Sequence, residues 1–146
     1  MSRLLIDGEP ATPDDLAYLA VTNYGAFTSF RVEAGGVRGL DRHLARLEAS
    51  AVALFGQAVG EARLRDLIRA AAAETEACWL RVSLFSPEIQ ARRPSWIGVP
   101  KVMIAVSPSP STLAESLTLQ VQTHARHLPE IKHAATLDLV LARREA

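Results

Sequence analysis

The fold is decided by residues 41–56, which read DRHLARLEASAVALFG. The apolar side chains of this stretch recur at the spacing of one helical face: Leu44, Leu47, Ala51, Leu54 and Phe55. Asp41 is predicted to cap the helix and Gly56 to end it. Because a helix with one apolar stripe must bury that stripe against another element, a sheet is expected in the rest of the chain.

A second helix and two strands are predicted after the first helix. Residues 61–76 combine helical periodicity with an alanine-rich middle of high helix propensity. Residues 79–85 and 101–106 are typical of strands, and the loop between them is polar and contains prolines. Strands, then two helices, then strands favour an α+β fold over alternating βαβ units. We therefore expect a two-layer domain, a mainly antiparallel sheet with both helices on one face.

The N-terminal part supplies the remaining predicted elements. Residues 4–6 are expected to form a short strand, and Thr12 begins a segment typical of a helix start. Residues 26–32 and 37–39, joined by a turn at 34–36, are predicted to form a β-hairpin.

A domain boundary is predicted at the Ser/Pro-rich segment 107–116, because alternating Ser and Pro resists both helix and central strand. It separates an N-terminal α+β domain, residues 1–106, from residues 117–146, interpreted as the beginning of an incomplete C-terminal catalytic domain. Within that part, residues 117–122 alternate as a strand does. The helical stripe that follows would favour self-association if left uncovered: Leu137, Val140 and Leu141.

The composition is that of an ordinary globular domain. Of 146 residues, 49% are hydrophobic and 22% charged, and 16 basic residues balance 16 acidic ones. A net charge of +0 gives no overall attraction to nucleic acid or to an anionic membrane, so neither is an expected partner. Cys78 is the single cysteine, which favours a reducing compartment. No apolar run is long enough for a signal peptide or a membrane span, and the expected location is the cytoplasm.

Lys132 is the candidate reactive group. It lies between a turn at Pro129 and a predicted helix. A lysine amine is nucleophilic only when neutral, and Arg126, His127 and His133 could supply the nearby positive charge that favours the neutral form. Taken alone, a lysine beside a turn is better explained as a solvated surface charge.

Arg46 is the candidate anion-binding group. At 100° per residue, His43, Arg46 and Ser50 cluster beside the apolar stripe of the first helix, where polar groups can face a cleft. A guanidinium there suits a phosphate, which it meets with paired hydrogen bonds. The alternative is an arginine that extends along the sheet edge with its charge in water.

Other site classes find less support. His124, His127 and His133 could bind a metal only with a further ligand in the right geometry, and no carboxylate-rich motif accompanies them, so no metal is expected. Gly35 and Gly36 are not followed by the Lys-Ser/Thr pair of a P-loop, and no G-x-G-x-x-G motif occurs. A nucleotide-binding P-loop or Rossmann site is therefore not expected.

Two separated blocks resemble the class IV aminotransferase family, the fold-type-IV pyridoxal-phosphate enzymes. Residues 24–32, YGAFTSFRV, and 36–47, GVRGLDRHLARL, followed by Ser50, are similar to the N-terminal signature of the family. Residues 131–133, IKH, and the segment 137–146 form the second block. The family includes branched-chain and D-amino-acid aminotransferases and 4-amino-4-deoxychorismate lyase, and the resemblance covers nearly the whole chain.

The resemblance implies roles for four residues. Lys132 would form the Schiff base with pyridoxal 5'-phosphate and move protons at the substrate α-carbon, while Arg46 would hold the cofactor phosphate. Phe27 and Arg31 match positions at the substrate side of the pocket. The implied activity is amino-group transfer between an amino acid and a 2-oxo acid, in a homodimer whose pocket is built across the interface.

The sequence also departs from the family pattern. Thr28 stands where an acidic residue is common, and Ala135 where an asparagine is frequent. The carboxylate that pairs with the pyridine nitrogen and a second phosphate-binding turn are expected further downstream than Ala146. Three interpretations follow: an aminotransferase or related lyase present as its truncated N-terminal part and inactive alone, a short non-catalytic relative acting as a binding or assembly module, or a lysine-dependent lyase without pyridoxal phosphate.

Overall fold

The computed structural model describes residues 3–92, 94–95, 97–111, 116, 118–121, 123 and 125–145. Over these residues the chain forms five strands and four helices. In chain order they are β1 (Arg3–Ile6), β2 (Glu9–Pro10), α1 (Pro13–Val21), β3 (Ala26–Glu33), α2 (Leu40–Phe55), α3 (Glu61–Ala72), β4 (Ala77–Phe85), β5 (Lys101–Ser107) and α4 (Leu137–Glu145). The predicted α+β class is confirmed.

The five strands form one antiparallel sheet in the order β2-β1-β5-β4-β3. β3 is therefore an edge strand, paired with β4 from Ala26 opposite Leu84 to Glu33 opposite Ala77. Because side chains alternate along a strand, Thr28 and Phe30 face one side of the sheet while Phe27 and its alternate neighbours face the other.

α2 and α3 cover one face of this sheet, as predicted. The apolar stripe of α2 is buried, with Leu44 and Leu47 0% and 1% exposed. Leu64 and Ile68 supply the corresponding stripe of α3. Truncating a leucine in such a core costs about 2–5 kcal/mol of folding free energy. The face that carries Phe27 is not covered by α2 and α3. The edge strand β3 therefore has one face in the core and the other outside it.

The predicted helix termini are confirmed at two places and wrong at a third. Thr12 forms a capping box with Asp15 at the start of α1. Gly56 ends α2 with a left-handed φ of 73°. Asp41 is not the cap of α2, because that position is taken by Gly39 in a left-handed conformation, φ 68°. Asp41 lies in the first turn instead, where its carboxylate accepts a hydrogen bond from Arg65.

The predicted hairpin at residues 26–39 is wrong in its second arm. β3 runs to Glu33, and a tight turn through Ala34 and Gly35, both with positive φ, follows. Glu33 and Gly36 exchange backbone hydrogen bonds of 3.0 and 2.9 Å, which close the turn. Residues 37–39 form no strand, because the left-handed Gly39 redirects the chain into α2.

Two further sequence predictions need correction. α3 ends at Ala72 and not at residue 76, because the amide of Thr75 bonds back to the carbonyl of Ala72 in a closing turn. Residues 118–121 are not the predicted strand, and residues 117 and 122 lie outside the described residues. Leu119 and Val121 are 85% and 95% exposed, so in the described part of the chain no neighbouring strand covers this segment. The division into domains at 107–116 stays a prediction.

The last helix agrees with its prediction. α4 spans Leu137–Glu145, and its apolar stripe is exposed at Leu137, Val140 and Leu141. Among the helices the structure describes, none is both long and apolar enough to cross a membrane.

Candidate active site

Lys132 is carried by a short segment that docks on the free edge of β3. The amide of Phe27 donates to the carbonyl of Lys132 at 2.8 Å, and the amide of Ala134 donates to the carbonyl of Gly25 at 2.8 Å. Between these bonds, Ala26 and His133 form an antiparallel bridge. The backbone of Lys132 is therefore fixed to the sheet, and its side chain starts from a defined position.

Gly25 is required by the packing at this junction. A Cβ atom at Gly25 would lie 2.3 Å from the carbonyl oxygen of Leu84 on β4. Carbon and oxygen atoms cannot approach so closely, so a side chain here would push the start of β3 away from β4. The same residue accepts the hydrogen bond from Ala134, which links the sheet to the Lys132 segment.

The amine of Lys132 lies in a half-buried, positively charged environment. Its Nζ atom is 5.2 Å from the centroid of the Phe27 ring, and the guanidinium of Arg81 lies 3.7 Å from the same centroid. Burial lowers the pKa of Lys132 below its usual value. The charges that lower this pKa further are, in decreasing order, those of Arg46, Arg126, Arg81 and Arg143. Both effects shift the equilibrium of Lys132 toward its neutral, nucleophilic form, compared with a solvated lysine.

Of the three cations predicted to act on Lys132, the structure assigns that role to Arg126. Arg126 Nη2 donates to the carbonyl of His133 at 3.1 Å, which holds the guanidinium against the docked segment. His133 turns its Nε2 atom to the carbonyl of His127 at 2.8 Å. These two histidines therefore stabilise the loop before Lys132.

Arg46 reaches from α2 to the buried face of β3. Its Nη2 atom donates to the hydroxyl of Thr28, and its Nε atom is buried with no hydrogen-bond partner among the described residues. The interpretation of Arg46 as a solvated edge residue is disfavoured by this buried contact. His43, one turn earlier, lies with its Nδ1 atom 2.6 Å from the same hydroxyl. Ser50, predicted beside them, is buried.

Lys132, Arg46 and His43 share one electrostatic neighbourhood. The pKa of His43 is lowered by burial, by the charge of Arg46 and by the charge of Lys132. Arg46 in turn is the strongest charge acting on the pKa of Lys132. The structure thus brings the two cationic residues of the sequence prediction together, although they are 86 positions apart in the chain (132 − 46).

An open depression of about 630 Å³ adjoins Arg46 at the start of α2. It is lined by Arg38, Gly39, Arg42, His43 and Arg46. The three arginine side chains bring positive charge and hydrogen-bond donors to it. The depression therefore has the charge and the donors that an anionic group needs.

Phe27 and Arg31, the two candidate substrate-binding residues, contact different parts of the structure. Phe27 touches the environment of Lys132, whereas Arg31 donates to the carboxylate of Glu33 at 2.9 Å and to the carbonyl of Pro110 at 2.7 Å. Within the described part of the chain, no hydrogen bond joins Arg31 to Lys132 or Arg46. Its predicted substrate-binding role stays a prediction.

A metal centre finds no ligand set in the part of the chain that the structure covers. No group of three or more His, Cys, Asp or Glu side chains there could hold an ion. His124, one of the three histidines considered from the sequence, lies outside the described residues.

Sequence reasoning missed two contacts at this site. The contact of Arg81 with the Phe27 ring depends on the register between β3 and β4. Arg81 pairs with Ser29, two residues after Phe27, and therefore lies on the same face of the sheet as Phe27. The role of Thr28 depends on which helix covers β3. The alternation of β3 could have placed Thr28 on the helix side, but not beside His43 and Arg46 in particular.

The segments that carry Lys132 and Arg46 lie within one long stretch of sequence that matches a known family. Residues 25–146 match the family model described as amino-transferase class IV. The chain belongs to the class IV aminotransferase family. None of the curated proteins is similar enough in sequence to match.

Solved structures agree with this assignment. A 4-amino-4-deoxychorismate lyase from Pseudomonas aeruginosa is 27% identical, with a TM-score of 0.79 over 98% of this chain and 56% of that one. A hypothetical aminotransferase from Mycobacterium tuberculosis, in an α-ketoglutarate- and PMP-bound form, is 27% identical, with a TM-score of 0.52 over 75% of this chain and 40% of that one. The branched-chain amino acid aminotransferase of Escherichia coli shares the fold at 18% identity, with a TM-score of 0.66 over 90% of this chain and 51% of that one. The chain spans about half the length of these proteins.

Proposed function

We propose that this protein is a pyridoxal-phosphate-dependent aminotransferase that moves an amino group between an amino acid and a 2-oxo acid. The observation that carries the proposal is the half-buried amine of Lys132, whose pKa is lowered by burial and by a group of arginines led by Arg46. An amine in these surroundings is suited to react with an aldehyde. The family supplies the identity of that aldehyde.

The residues present fit the cofactor. Lys132 supplies the amine for its aldehyde, and Arg46 supplies donors for its phosphate. The buried Nε atom of Arg46, which has no partner among the described residues, is the kind of atom that an anion would satisfy. Pyridoxal phosphate, when bound, supplies the conjugated ring that accepts the electron pair of the substrate's α-carbon.

The protein side chains have distinct tasks under this proposal. Neutral Lys132 takes the proton from the substrate α-carbon and returns it, which a permanently charged lysine could not do. The Phe27 ring, 5.2 Å from Nζ, shields one side of the amine from water. Arg46 holds the cofactor in place by paired hydrogen bonds to phosphate. Arg31 would bind substrate only by exchanging its present partners, Glu33 and Pro110.

The proposal extends to assembly and location. We expect a homodimer in the cytoplasm, with amino acids and 2-oxo acids as substrates and no nucleic-acid or membrane partner. The exposed apolar stripe of α4 supports self-association, since Leu137 is 71% exposed. Sedimentation of the purified chain, compared with that of a Leu137→Ser variant, measures whether this stripe contributes.

A second candidate function is elimination of the type catalysed by 4-amino-4-deoxychorismate lyase. It is favoured by the TM-score of 0.79 and the 27% identity to the Pseudomonas aeruginosa lyase, against 0.66 and 18% for the Escherichia coli aminotransferase. Pyruvate release from 4-amino-4-deoxychorismate would support the lyase. Transfer of ¹⁵N from a labelled amino acid to a 2-oxo acid would support the aminotransferase.

The direct test of the lysine uses the fact that the chain has two lysines, Lys132 and Lys101. The protein is mixed with saturating pyridoxal phosphate, reduced with borohydride, digested and analysed by mass spectrometry. We expect the added mass on Lys132, its loss in Lys132→Ala and its retention in Lys101→Ala. Equal modification of both lysines, or of neither, would contradict the proposal and favour a non-catalytic relative.

A further inference from the structure

The hydroxyl of Thr28 is completely buried between two polar side chains of α2. Thr28 is 0% exposed, and its Oγ1 atom accepts a hydrogen bond from Arg46 Nη2. The same atom lies 2.6 Å from Nδ1 of His43. A hydroxyl donates one hydrogen and accepts others, whereas a guanidinium only donates. Because Arg46 can only donate, the hydroxyl hydrogen stays free for His43 Nδ1, and we assign the bond in that direction.

This arrangement selects one form of His43. Its Nδ1 atom lies 2.6 Å from Thr28 Oγ1, whose hydrogen is assigned to this bond, and 3.4 Å from Arg46 Nη2, which can only donate. Nδ1 must then be the acceptor, and the proton of the ring belongs on Nε2. A second proton would add a cation beside Arg46 and Lys132, whose charges, together with burial, lower the pKa of His43.

The remaining surroundings of His43 are an aromatic ring and further cations. The ring of Phe30 from β3 lies 5.0 Å away, centroid to centroid. Arg38 and Arg42 line the open depression together with His43. The charged groups that face His43 in the described structure are thus cations on its own helix, on the segment before that helix and on the docked segment of Lys132.

Holding one terminal nitrogen of a guanidinium restricts its orientation, because the group is flat and rigid and its Nε atom is attached to the side-chain stem. With Nη2 of Arg46 held by Thr28, the range of directions open to Nε and Nη1 is narrowed. Nε has no partner among the described residues, so it is available to an incoming acceptor.

We infer that Thr28 and His43 are positioning residues for Arg46: the neutral imidazole holds the Thr28 hydroxyl, and that hydroxyl orients the guanidinium toward a phosphate group. The orientation of Arg46 by His43 and Thr28, called the relay below, is argued from the contacts of Thr28 alone. That the bound phosphate belongs to pyridoxal phosphate rests on the proposed function. Inorganic phosphate is therefore the probe for the relay, and it separates the two ideas.

The test follows the Arg46 side chain by ¹⁵N NMR in the 146-residue chain. Rotation of the guanidinium about its Nε–Cζ bond is slow while Thr28 holds Nη2. In Thr28→Val, which keeps the shape and removes the hydroxyl, we expect rotation to be faster by about tenfold or more, and phosphate binding to be weaker by a similar factor. Thr28→Ser should restore both values. Ser29→Ala, on the other face of β3, is the matched control and should change neither.

A measurement on the unmodified protein guards against a variant that does not fold. The ¹⁵N shifts of His43 should show an unprotonated Nδ1 and a protonated Nε2 at neutral pH. A proton on Nδ1, or an Arg46 side chain that rotates as fast in the unmodified chain as in Thr28→Val, would overturn the inference. If the relay is found and borohydride leaves Lys132 unmodified, the proposed function alone fails. If Lys132 is modified and Arg46 rotates freely, the inference alone fails.

Discussion

Phe27 and Lys132 are joined twice, through a backbone hydrogen bond of 2.8 Å and through a side-chain contact of 5.2 Å between Nζ and the ring centroid. The backbone bond fixes where the lysine begins, and the ring limits where its amine can go. Arg81 lies over the same ring at 3.7 Å. One aromatic residue of β3 therefore links the amine of Lys132 to a cation on β4.

The charge of Arg81 should be measurable in the acid–base behaviour of Lys132. Since burial and nearby arginines lower the pKa of Lys132 below 10.5, removal of one arginine raises it again. In Arg81→Gln, the pH at which acetic anhydride half-labels Lys132 should move upward, while the labelling of Lys101 stays the same. Arg69→Gln is the control, because Arg69 pairs with Asp66 on the exposed side of α3. No shift in Arg81→Gln would show that the arginine does not act on the amine.

The phosphate specificity of the site should depend on Arg46. Replacing Arg46 by Gln removes a charged donor, worth about 1.5–3 kcal/mol in a hydrogen bond to a charged group, or roughly 10- to 100-fold in affinity. Binding of pyridoxal phosphate should weaken by that factor, and binding of pyridoxal, which has no phosphate, should hardly change. Titration calorimetry with both compounds measures the difference. Equal weakening of the two would mean that Arg46 does not contact the phosphate.

Gly25→Ala should destabilise the protein through one atomic overlap. The new Cβ would lie 2.3 Å from the Leu84 carbonyl, and overpacking of this kind costs about 1–3 kcal/mol. We expect a melting temperature lower by several degrees. Gly36→Ala is the matched control, because its Cβ would meet the nearest atom, the Glu33 carbonyl oxygen, at an ordinary 3.6 Å. Equal melting temperatures for both variants would contradict the close approach of β3 and β4.

The stability of the chain should fall at mildly acidic pH because of His43. Its pKa is lower in the folded state than its value of 6.5 in the unfolded chain, since burial and the charges of Arg46 and Lys132 oppose protonation. The unfolded state then binds more protons as the pH falls below 6.5, so the free energy of unfolding decreases through that range. Urea unfolding at several pH values gives the free energy of unfolding as a function of pH. The slope of this dependence below pH 6.5 should be smaller in His43→Gln than in the unmodified chain. His127→Gln, exposed and outside the Thr28 contact, should keep the original slope.

Sequence predicted the local features well, because local physics determines them. The periodicity of α2 follows from burial of one face, and the capping box at Thr12 needs only residues three positions apart. The cap of α2 at Gly39 was missed because the left-handed φ of this residue depends on where the chain must go after β3. The alternation of residues 118–121 failed for the opposite reason, since an alternating segment forms a strand only if another strand accepts its hydrogen bonds.

Two candidate residues of the site could be named from the sequence, but the contacts around them could not. Lys132 and Arg46 were found by resemblance to a family, and the structure brings them into one neighbourhood. The Thr28 contact needed the packing of α2 on β3, and the Arg81 contact needed the register of β4. Neither of these relationships has a signature in a single sequence, because each joins residues from elements whose relative placement is set by the whole core.

The docking of residues 132–134 on β3 has a consequence for solubility. An edge strand with free amides and carbonyls is a template on which other chains can assemble into intermolecular sheets. The Lys132 segment occupies the amide of Phe27 and the carbonyl of Gly25, at the end of β3 where the chain enters the sheet. The same few residues thus carry the amine of Lys132 and cover backbone groups at that end of the sheet that could otherwise pair with another chain. Substitutions that loosen the segment would be expected to lower the yield of soluble protein as well as the reactivity of Lys132.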